Sequence, residues 1–470
     1  MQNQEDIWEE DCAFTDEDSD EATFSQDSFT TEGMSGWETL PNVCLQHVFR
    51  FLPDGDRSMA SLVCHHWHNV MHSPCLWRTR FFNFSGRLSK YRPSEYNSAV
   101  GYVRSLGVYL KKLEVCVCPP RTNVIAQRLE ETICGLLFEL VRVKAPLQFL
   151  SLVCLKLDRS SWDSGHRNIL VDALIYFLRN GASKLRSVCL NGMRNDMQQG
   201  LKLLSALSEM HCYISSLDLR GFFSTAVSVH PNPSMPHFLQ PLQGLTDLGL
   251  SYCCLSDELL MVLQQRHSEG RWTFGRNILQ RISLHCTQNE SHQQLVHSSS
   301  WAGLASHCPD LNIKLTVDQV INNDCLARML VPGIPLREYS MTALYTPNEN
   351  WSPKPLLCDM LPQYRHSLQI LTLDLSNCSE SLDEELLELV NVCEHLVDLR
   401  VWAFLEILTV GRLLQIRLNK KLLLNKIKVR IYTMNDNKEE QEDQLEEMLY
   451  AYQQNFPPEL TFFAAIYPFI

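Results

Sequence analysis

The stretch LTDLGLSYCCLSDELL, residues 245–260, decides the fold class of this chain. Its residues Leu245, Leu248 and Leu250 follow an apolar-x-x-apolar-x-apolar spacing, which Cys253 and Leu255 extend. An apolar residue at every second position is typical of a short strand with one buried face. The polar turn and the DELL run that follow favour the start of a helix. The stretch therefore predicts one strand, a tight turn and a helix.

The same spacing recurs along the chain and defines a repeat. Clear copies begin roughly 28 to 38 residues apart, whereas leucine-rich repeats commonly have 20–29 residues. The extra length fits a helix or loop added to each unit. Copies occur at 110–115, 147–152, 185–190, 214–219, 245–250, 279–284, 368–373, 396–401 and 427–431, with weaker ones at 311–317 and 334–340.

Helix-like segments separate the predicted strands, most clearly at 168–181, 199–210, 257–267 and 383–396. Asp257 and Asp383 begin two of them, where an aspartate often caps the helix. Such repeats stack, so we predict an α/β repeat solenoid with parallel strands on its concave side and helices on its convex side. A doubly wound α/β fold is the competing interpretation. It is disfavoured because the strands are very short and no glycine-rich phosphate loop follows them.

Cysteines occupy turns and apolar runs of the repeats. Cys253 follows one predicted strand, and Asn377 with Cys378 follows another. Side chains at such turns face inward and satisfy backbone groups of neighbouring coils, so we predict structural roles for them. The chain has 18 cysteines and no CxxC pair. We expect reduced, buried thiols and no disulfide framework.

The acidic residues are concentrated at the N-terminus. Residues 1–33 hold 12 acidic and no basic side chains. The net charge is −13, yet residues 34–470 contain 42 acidic and 41 basic side chains. A segment of this composition buries too little apolar area to offset its ordering entropy, so residues 1–34 are predicted to be a disordered acidic tail. The nearly neutral remainder argues against nucleic-acid binding, because it has no basic surplus to neutralise phosphates.

The chain contains no apolar run of about 18 residues that would predict a membrane-spanning helix. Its polar N-terminus also lacks the pattern of a signal peptide. We therefore expect no membrane contact and an intracellular location, in the cytoplasm, the nucleus or both.

A second distinctive stretch, WETLPNVCLQHVFRFLPDGDRSMASLVCHHWHNVMHSPCLWRTRF, covers residues 37–81. Its apolar residues recur at helical spacing, and Pro41 suits a first helical turn. Pro-Asp-Gly at 53–55 ends that helix. A second amphipathic run ends near Trp67, and a third short helix is predicted to carry Leu76, Trp77 and Phe81. Three helices of about ten residues make too small a core to be stable alone, so a partner or the next domain should cover some apolar surface.

This stretch resembles the F-box, with LPxxxLxxVFxxL at 40–52, Asp56, VCxxW at 63–67 and Leu-Trp at 76–77. The resemblance implies docking onto the adaptor Skp1 and, through it, onto a cullin scaffold of a ubiquitin ligase. It makes the residues at conserved apolar positions the Skp1-binding candidates, and leaves open which of them face Skp1 and which close the local core. They are Leu40, Pro41, Leu45, Val48, Phe49, Leu52, Val63, Cys64, Trp67, Leu76 and Trp77.

The order of an F-box followed by irregular leucine-rich repeats resembles the F-box and leucine-rich repeat proteins. DRS at 56–58, NFSGR at 83–87, SLDEEL at 381–386 and VWAFLE at 401–406 make the likeness closer to the group around F-box only protein 39. The predicted parts are the acidic tail at 1–34, the F-box at 35–82, linker helices at 83–106, the repeat domain at 107–435 and a C-terminal cap at 436–470.

Three aromatic residues are candidates for contact with a protein substrate. Trp351 lies in a Pro-rich stretch and is predicted to be the most exposed aromatic residue of the chain. Trp402 and Phe404 follow a predicted strand, where exposed aromatic residues often anchor a partner. The alternative is that Trp402 and Phe404 are core residues that close the last repeats.

The sequence contains no GxSxG, HExxH, phosphate-loop or kinase motif, so no catalytic residue is assigned. One cluster within the F-box segment includes a histidine pair at i, i+4 that could bind a metal. Solvent-facing histidines on a helix are the favoured interpretation, and no metal or other cofactor is predicted. The cluster consists of Cys64, His65, His66, His68, His72 and Cys75.

The resemblance thus favours a non-catalytic adaptor, the substrate-recognition subunit of a Skp1–cullin–F-box ligase. The F-box would bind Skp1, and the repeats would hold an unknown target protein. A leucine-rich repeat scaffold that acts outside a ubiquitin ligase is the alternative.

Overall fold

The computed structural model describes residues 36–37, 40–52, 54–84, 93–210, 214–229, 232, 234–242, 244–268, 279–345, 351–377, 380–419, 423–433, 438–453 and 456–468. The chain divides into two compact units, with the boundary between Leu76 and Trp77. The predicted acidic tail at 1–34 lies outside the described residues. Among the helices of the described residues, none has both the length and the apolar character needed to cross a membrane.

The first unit is helical. Its helices are α1 (Asn42–Phe49), α2 (Asp54–Ser61) and α3 (His65–Met71), and a short 3-10 turn follows at Pro74–Leu76. Leu45 and Phe49 lie one turn apart on α1 and are buried, as their spacing predicts. Cys64 caps α3, because its thiol accepts a hydrogen bond from the Trp67 N–H at 3.5 Å.

In place of the third helix predicted after residue 73, the structure has a short turn and a strand. Leu76 ends the 3-10 turn, whereas Phe81 lies in strand β1 (Thr79–Phe84) of the second unit. Phe82 and Phe84 are buried while Phe81 is exposed, which is the alternation of a strand. The helix prediction for Phe81 was wrong because a short run of aromatic residues at period two favours a strand.

The second unit is built on one sheet of thirteen strands whose order follows the chain. Neighbouring strands are parallel throughout, so each pair needs a crossover connection. After β1 the strands are β2 (Lys112–Val117), β3 (Phe149–Val153), β4 (Ser187–Cys189), β5 (Ser216–Leu219), β6 (Asp247–Ser251), β7 (Arg281–Thr287), β8 (Asn312–Asp318), β9 (Leu336–Ala343), β10 (Ile370–Leu375), β11 (Asp398–Ala403), β12 (Lys426–Thr433) and β13 (Thr461–Pro468).

Helices supply most of the crossovers. Between β9 and β10 a π-helical segment, Leu356–Met360, and a 3-10 turn, Leu361–Tyr364, take that place. The helices are α4 (Pro93–Leu106), α5 (Asn123–Arg142), α6 (Ser164–Gly181), α7 (Met197–Ser208), α8 (Ser234–Leu239), α9 (Asp257–Ser268), α10 (Ser298–His307), α11 (Asn323–Met329), α12 (Asp383–Val392), α13 (Ile407–Asn419) and α14 (Lys438–Gln453).

Alternate apolar residues of the strands form the core. In β2, Leu113 and Val115 are buried and Glu114 lies on the opposite face. The buried positions of successive strands join with helix residues in one continuous core, so the helices cover one side of the sheet. We call the other side the open face. The prediction of an α/β repeat solenoid with short parallel strands is therefore confirmed.

The core of the second unit extends beyond the predicted limits of 107–435. Helix α4 falls in the predicted linker at 83–106, yet its residues Ala99 and Val103 are buried in the same core. At the other end, β13 pairs in parallel with β12, so the predicted cap adds a strand to the sheet. Both ends therefore continue the repeat pattern.

Asp257 does not cap its own helix. The Leu259 N–H donates to the Ser256 hydroxyl at 3.1 Å, so Ser256 caps α9. The Asp257 carboxylate instead accepts the backbone N–H of His297 at 2.9 Å, immediately before α10. The prediction for Asp257 was wrong, because its partner comes from the next repeat.

Asp383 behaves in the same way on α12. It is the first residue of that helix, and its carboxylate accepts the Glu406 N–H at 2.9 Å and the Thr409 hydroxyl at 2.6 Å. Those two groups belong to the start of α13. Each aspartate therefore links two successive repeats, and the prediction that Asp383 caps α12 was also wrong.

Side chains in the turns join neighbouring repeats through hydrogen bonds. Asn377 is buried, and its side-chain amide accepts the Phe404 N–H at 2.9 Å and donates to the Phe404 carbonyl at 3.0 Å. Cys253 is buried at the corresponding place after β6. Cys378, also predicted to be structural, lies outside the described residues.

Candidate protein-binding surfaces

Helix α1 and the residues that flank it present apolar side chains to solvent. Pro41, Cys44, Val48 and Phe51 recur three or four positions apart and are exposed, and 76% of Phe51 is accessible. Val43, on the adjoining side of the helix, is exposed as well. The helix thus has one apolar face in the core and another without cover, which is the pattern of a helix that meets a partner.

The end of α2 presents a second group of exposed apolar side chains. Isolated exposed apolar residues are ordinary, but several on one small unit mark an interaction surface. Leu62 is 72% exposed, and Met59 and Val63 are 57% and 60% exposed. We call six exposed apolar residues of α1, α2 and the turns after them the exposed apolar set: Val43, Val48, Phe51, Met59, Leu62 and Val63.

Arg57 ties the helices of the first unit together. Its guanidinium donates to the carbonyl of Phe49 at 3.0 Å, of Arg50 at 3.1 Å and of Leu76 at 3.1 Å. The first two carbonyls end α1 and the third ends the 3-10 turn, where carbonyls have no partner within their own helix. One planar side chain therefore joins two helix ends and fixes α1, which carries Val43 and Val48 of the exposed apolar set.

The structure divides the predicted Skp1-binding residues into three groups. Leu45, Phe49 and Leu76 are buried and form the local core. Trp77 belongs to the second unit, where its ring lies 6.2 Å from that of Tyr102. The remaining seven lie at least partly in solvent: Leu40, Pro41, Val48, Leu52, Val63, Cys64 and Trp67.

The histidine cluster near α3 is used for local structure. His66 Nε2 lies 3.1 Å from the Leu40 carbonyl, His68 Nδ1 lies 3.3 Å from the Ser61 carbonyl, and His72 Nδ1 lies 2.8 Å from the His68 carbonyl. A ring nitrogen that faces a carbonyl must carry a proton and is then not a metal ligand. Within the described part of the chain, this cluster does not bring three ligand atoms together.

A different group has metal-like spacing. Among the described residues, ligand atoms of Cys286, Glu290 and His292 lie within 4.8 Å of one another. The Glu290 carboxylate accepts the N–H of Thr287 at 2.5 Å and of Cys253 at 3.1 Å, while His292 Nε2 lies 3.0 Å from the Thr287 carbonyl. Burial raises the pKa of the Cys286 thiol. The group therefore braces the turns after β6 and β7.

Trp351 is not the exposed aromatic residue that the sequence predicted. Its indole N–H donates to the Asn323 side chain at 2.9 Å, and its ring packs edge-on against Tyr345 with centroids 4.9 Å apart. The side chain is half-buried against the core. These contacts give Trp351 a packing role, because both its polar group and its ring are already engaged.

Trp402 and Phe404 lie at the C-terminal end of the sheet. Trp402 is on the open face of β11, and the Arg430 guanidinium lies 5.2 Å from its ring centroid. Phe404 is half-buried beyond the strand, with its ring 5.8 Å from that of Tyr432. Burial raises the pKa of nearby Asp374 even though it accepts the Tyr432 hydroxyl at 2.8 Å. Of the three aromatic candidates, Trp402 remains best placed for contact.

The helical segment matches a known family. Residues 37–83 fit the F-box-like family model. They form an F-box-like domain. This domain contains the exposed apolar set and the Arg57 hydrogen bonds described above.

The chain also resembles curated proteins. F-box/LRR-repeat protein 21 of Ovis aries is 26% identical over 278 residues, and its Mus musculus counterpart is 27% identical over 281 residues. Each alignment covers 59% of this chain and 58% of the relative, so the chain spans less than two thirds of their length. The chain is thus similar to F-box/LRR-repeat proteins.

Among solved structures, one similar chain comes from the crystal structure of the Rad7 and Elc1 complex in yeast. It is 14% identical, with a TM-score of 0.35 over 77% of this chain and 88% of that chain. A similarity at this level supports no conclusion about fold or function.

The sequence pattern of the F-box-like domain missed several exposed residues. Val43, Phe51, Met59 and Leu62 are exposed but fall outside the conserved apolar positions. The available signal was the spacing itself, because Phe51 lies three residues after Val48, the interval at which residues share a face of a helix. A hydrophobic residue on the solvent side of an otherwise complete helical core is the feature that points to a partner.

Proposed function

We propose that this chain is the substrate-recognition subunit of a Skp1–cullin–F-box ubiquitin ligase. The F-box-like domain would bind Skp1, and the repeat unit would hold a target protein. The exposed apolar set carries this proposal, because it lies on the domain whose family match suggests an adaptor partner.

The chemistry of the surface fits a helical, apolar partner. Burying an exposed Phe or Leu side chain contributes about 1.5–3 kcal/mol. Phe51 and Leu62 are among the most exposed apolar side chains of the domain. Contact with these two alone would supply several kcal/mol toward association, before ordering costs are subtracted. Aromatic and aliphatic anchors of this kind dominate helix-in-groove recognition.

The test replaces both anchors with aspartate, in the variant Phe51→Asp with Leu62→Asp. Its matched control, Val124→Asp with Leu408→Asp, removes two apolar side chains of the repeat unit that are 59% and 71% exposed. We expect the first variant to bind purified Skp1 about 100-fold more weakly or worse, because two buried charges would oppose the interface. The control should bind like the wild type. Absence of Skp1 binding by the wild type, or equal binding by both variants, would overturn the proposal.

A second arm separates a ligase subunit from a scaffold outside a ligase. Full-length chain, Skp1, a cullin complex and a captured partner protein are combined with ubiquitin-charging enzymes. Ubiquitin should be transferred to the captured protein in the presence of the wild-type chain and not of the Phe51→Asp, Leu62→Asp variant. Skp1 binding without any transfer would favour the scaffold.

We also propose that the chain groups with F-box only protein 39 and its relatives, and that it acts in the cytoplasm, the nucleus or both. The DRS, SLDEEL and VWAFLE motifs support the grouping. A phylogenetic tree of full-length F-box/LRR sequences that separates this chain from that group would contradict it. Imaging of the tagged chain in cells tests the location.

A further inference from the structure

Toward the C-terminal end of the sheet, the open face carries more basic than acidic side chains. On strand β12, Lys426 pairs with Asp398, whereas Lys428 and Arg430 form no such ion pair among the residues that the structure describes; the charge of Arg430 acts on the Asp374 carboxylate only from a longer distance. Several bases of earlier strands have a carboxylate partner: Lys112 pairs with Glu114 at 2.5 Å, Arg281 with Asp247 at 2.8 Å, and Lys314 with Glu338 at 3.2 Å.

Arg430 is held in place by two aromatic rings. Its guanidinium carbon lies 5.2 Å from the ring centroid of Trp402 and 4.9 Å from that of Tyr467. In the sheet register, Arg430 lies opposite Trp402 on β11 and opposite Ala465 on β13. Tyr467 lies two residues after Ala465 on the same strand. Contact with a ring uses the face of the guanidinium and leaves the in-plane N–H groups free to donate to an anion.

The carboxylates nearest this region are already engaged. Asp398 pairs with Arg400 at 2.6 Å and with Lys426 at 3.2 Å. Asp374 accepts the Tyr432 hydroxyl at 2.8 Å. On the open face of β10 to β12, four basic side chains therefore face two acidic ones.

Exposed aromatic residues border the unpaired bases. Phe463 is the register partner of Lys428 on β13 and is 41% exposed, and Tyr467 is 37% exposed. Two exposed rings beside two unpaired cations offer both apolar contact and anion binding. We call Trp402, Lys428, Arg430, Phe463 and Tyr467 the basic aromatic patch.

We propose that the basic aromatic patch binds an extended acidic peptide segment of a partner protein, with one apolar side chain resting on Phe463 or Tyr467. The charge surplus selects carboxylates, and the stacked Arg430 is oriented in advance to bind one of them bidentately. The inference rests on the proposed function in one respect, since it describes the target as a protein held by the repeats. Binding of the peptide itself does not require Skp1.

The spacing of the two bases predicts the pattern of the peptide. Lys428 and Arg430 are two positions apart on one strand, so their Cα atoms are separated by about 6.6–6.8 Å. Acidic residues two positions apart in an extended peptide have the same separation. The expected motif therefore alternates acidic residues with others.

The probe is a fluorescein-labelled nonapeptide with Glu at every second position and one Phe, and its control carries Gln in place of Glu. Anisotropy titrations use the full-length chain. The Glu peptide should bind, and Lys428→Gln with Arg430→Gln should weaken it about tenfold or more, as expected when two charge-assisted contacts are lost. Lys112→Gln with Arg281→Gln removes the same charge from the same face and should change binding less than about twofold.

Arg430→Lys keeps the charge but loses the planar fork, so it should weaken binding by an intermediate factor. Three results would overturn the proposal. They are equal losses of binding in both double variants, equal binding of the Gln and Glu peptides, and displacement of the probe by inorganic phosphate as readily as by unlabelled peptide when both competitors carry the same total charge. All variants must match the wild type in thermal unfolding and in Skp1 binding. Failure of Skp1 binding alone would count against the proposed ligase function and not against the patch.

Discussion

Replacing Arg57 with methionine tests how the F-box-like domain holds helix α1 in place. The substitution keeps most of the aliphatic stem but removes the three hydrogen bonds to the carbonyls of Phe49, Arg50 and Leu76. The end of α1 and the 3-10 turn would then lose their shared donor. We expect local unfolding of this domain to become easier while the repeat unit is unaffected.

The magnitude follows from the three bonds. A hydrogen bond from a charged donor contributes about 1.5–3 kcal/mol, and water can replace the exposed one to Arg50 at little cost. The two part-buried bonds, to Phe49 and Leu76, therefore dominate. Allowing for partial hydration of the freed carbonyls, we expect a loss of about 2–3 kcal/mol, a large fraction of the stability of so small a unit.

Hydrogen exchange followed by mass spectrometry measures this loss within one sample. A decrease of about 2–3 kcal/mol corresponds to roughly 30- to 150-fold faster exchange of amides protected by local opening. Peptides from α1 and α3 should show it, and peptides from β10 and β11 should serve as the internal standard. The matched control is Arg50→Met, which removes the same charge from an exposed position near the same helix end. Equal exchange in Arg57→Met and Arg50→Met would refute the role of Arg57.

Three further substitutions test the repeat unit. Asn377→Ala leaves the backbone of Phe404 without its buried partner, so urea titration should show about 2–3 kcal/mol less stability than for the exposed Asn391→Ala. Glu290→Gln places an amide N–H against backbone donors and should cost about 1–3 kcal/mol in the same assay; an unchanged midpoint would contradict the brace. Burial tends to raise the pKa of Glu139, but hydrogen bonds from two arginines lower it overall. Its contribution is therefore present above about pH 4.3 and lost as the pH falls toward the lowered folded-state pKa, so the difference from Glu139→Gln should shrink between pH 5 and pH 3.

The repeat architecture was predictable because its signal is local. The leucine spacing located strands β2 to β7 and β10 to β12, and the weaker copies at 311–317 and 334–340 correspond to β8 and β9. Strand β1 escaped because its buried residues are Phe82 and Phe84, which follow an F-box motif and lack the leucine spacing. Local periodicity identifies a strand only when the residue type matches the pattern being sought.

The exposed apolar set of the F-box-like domain was only partly predictable. Leu45 and Val48 occupy equivalent places in the motif, yet the first is buried and the second is exposed. Because both faces of α1 are apolar, hydrophobicity alone does not tell core from surface. The direction of each side chain depends on how α3 packs against α1, which is a tertiary property.

The sequence also did not predict which polar groups pair with one another across neighbouring repeats. Asp257 and Asp383 have the residue type and position of caps, but their carboxylates bind backbone groups about one repeat further along the chain. The sequence around Trp351 is typical of an exposed loop, but the side chain of Asn323 accepts a hydrogen bond from the Trp351 indole N–H. Pairings between residues 23 to 40 positions apart arise from stacking, which local propensity does not encode.

The order of the thirteen strands has a consequence for biogenesis. Since each strand pairs with the one synthesised just before it, a nascent chain can extend the sheet one repeat at a time on a template already outside the ribosome. No early segment has to wait, with its apolar surface uncovered, for a pairing strand translated hundreds of residues later. Short sequence separation between pairing partners also favours fast folding. A stalled or truncated product would therefore keep its earlier repeats paired and expose mainly the last one.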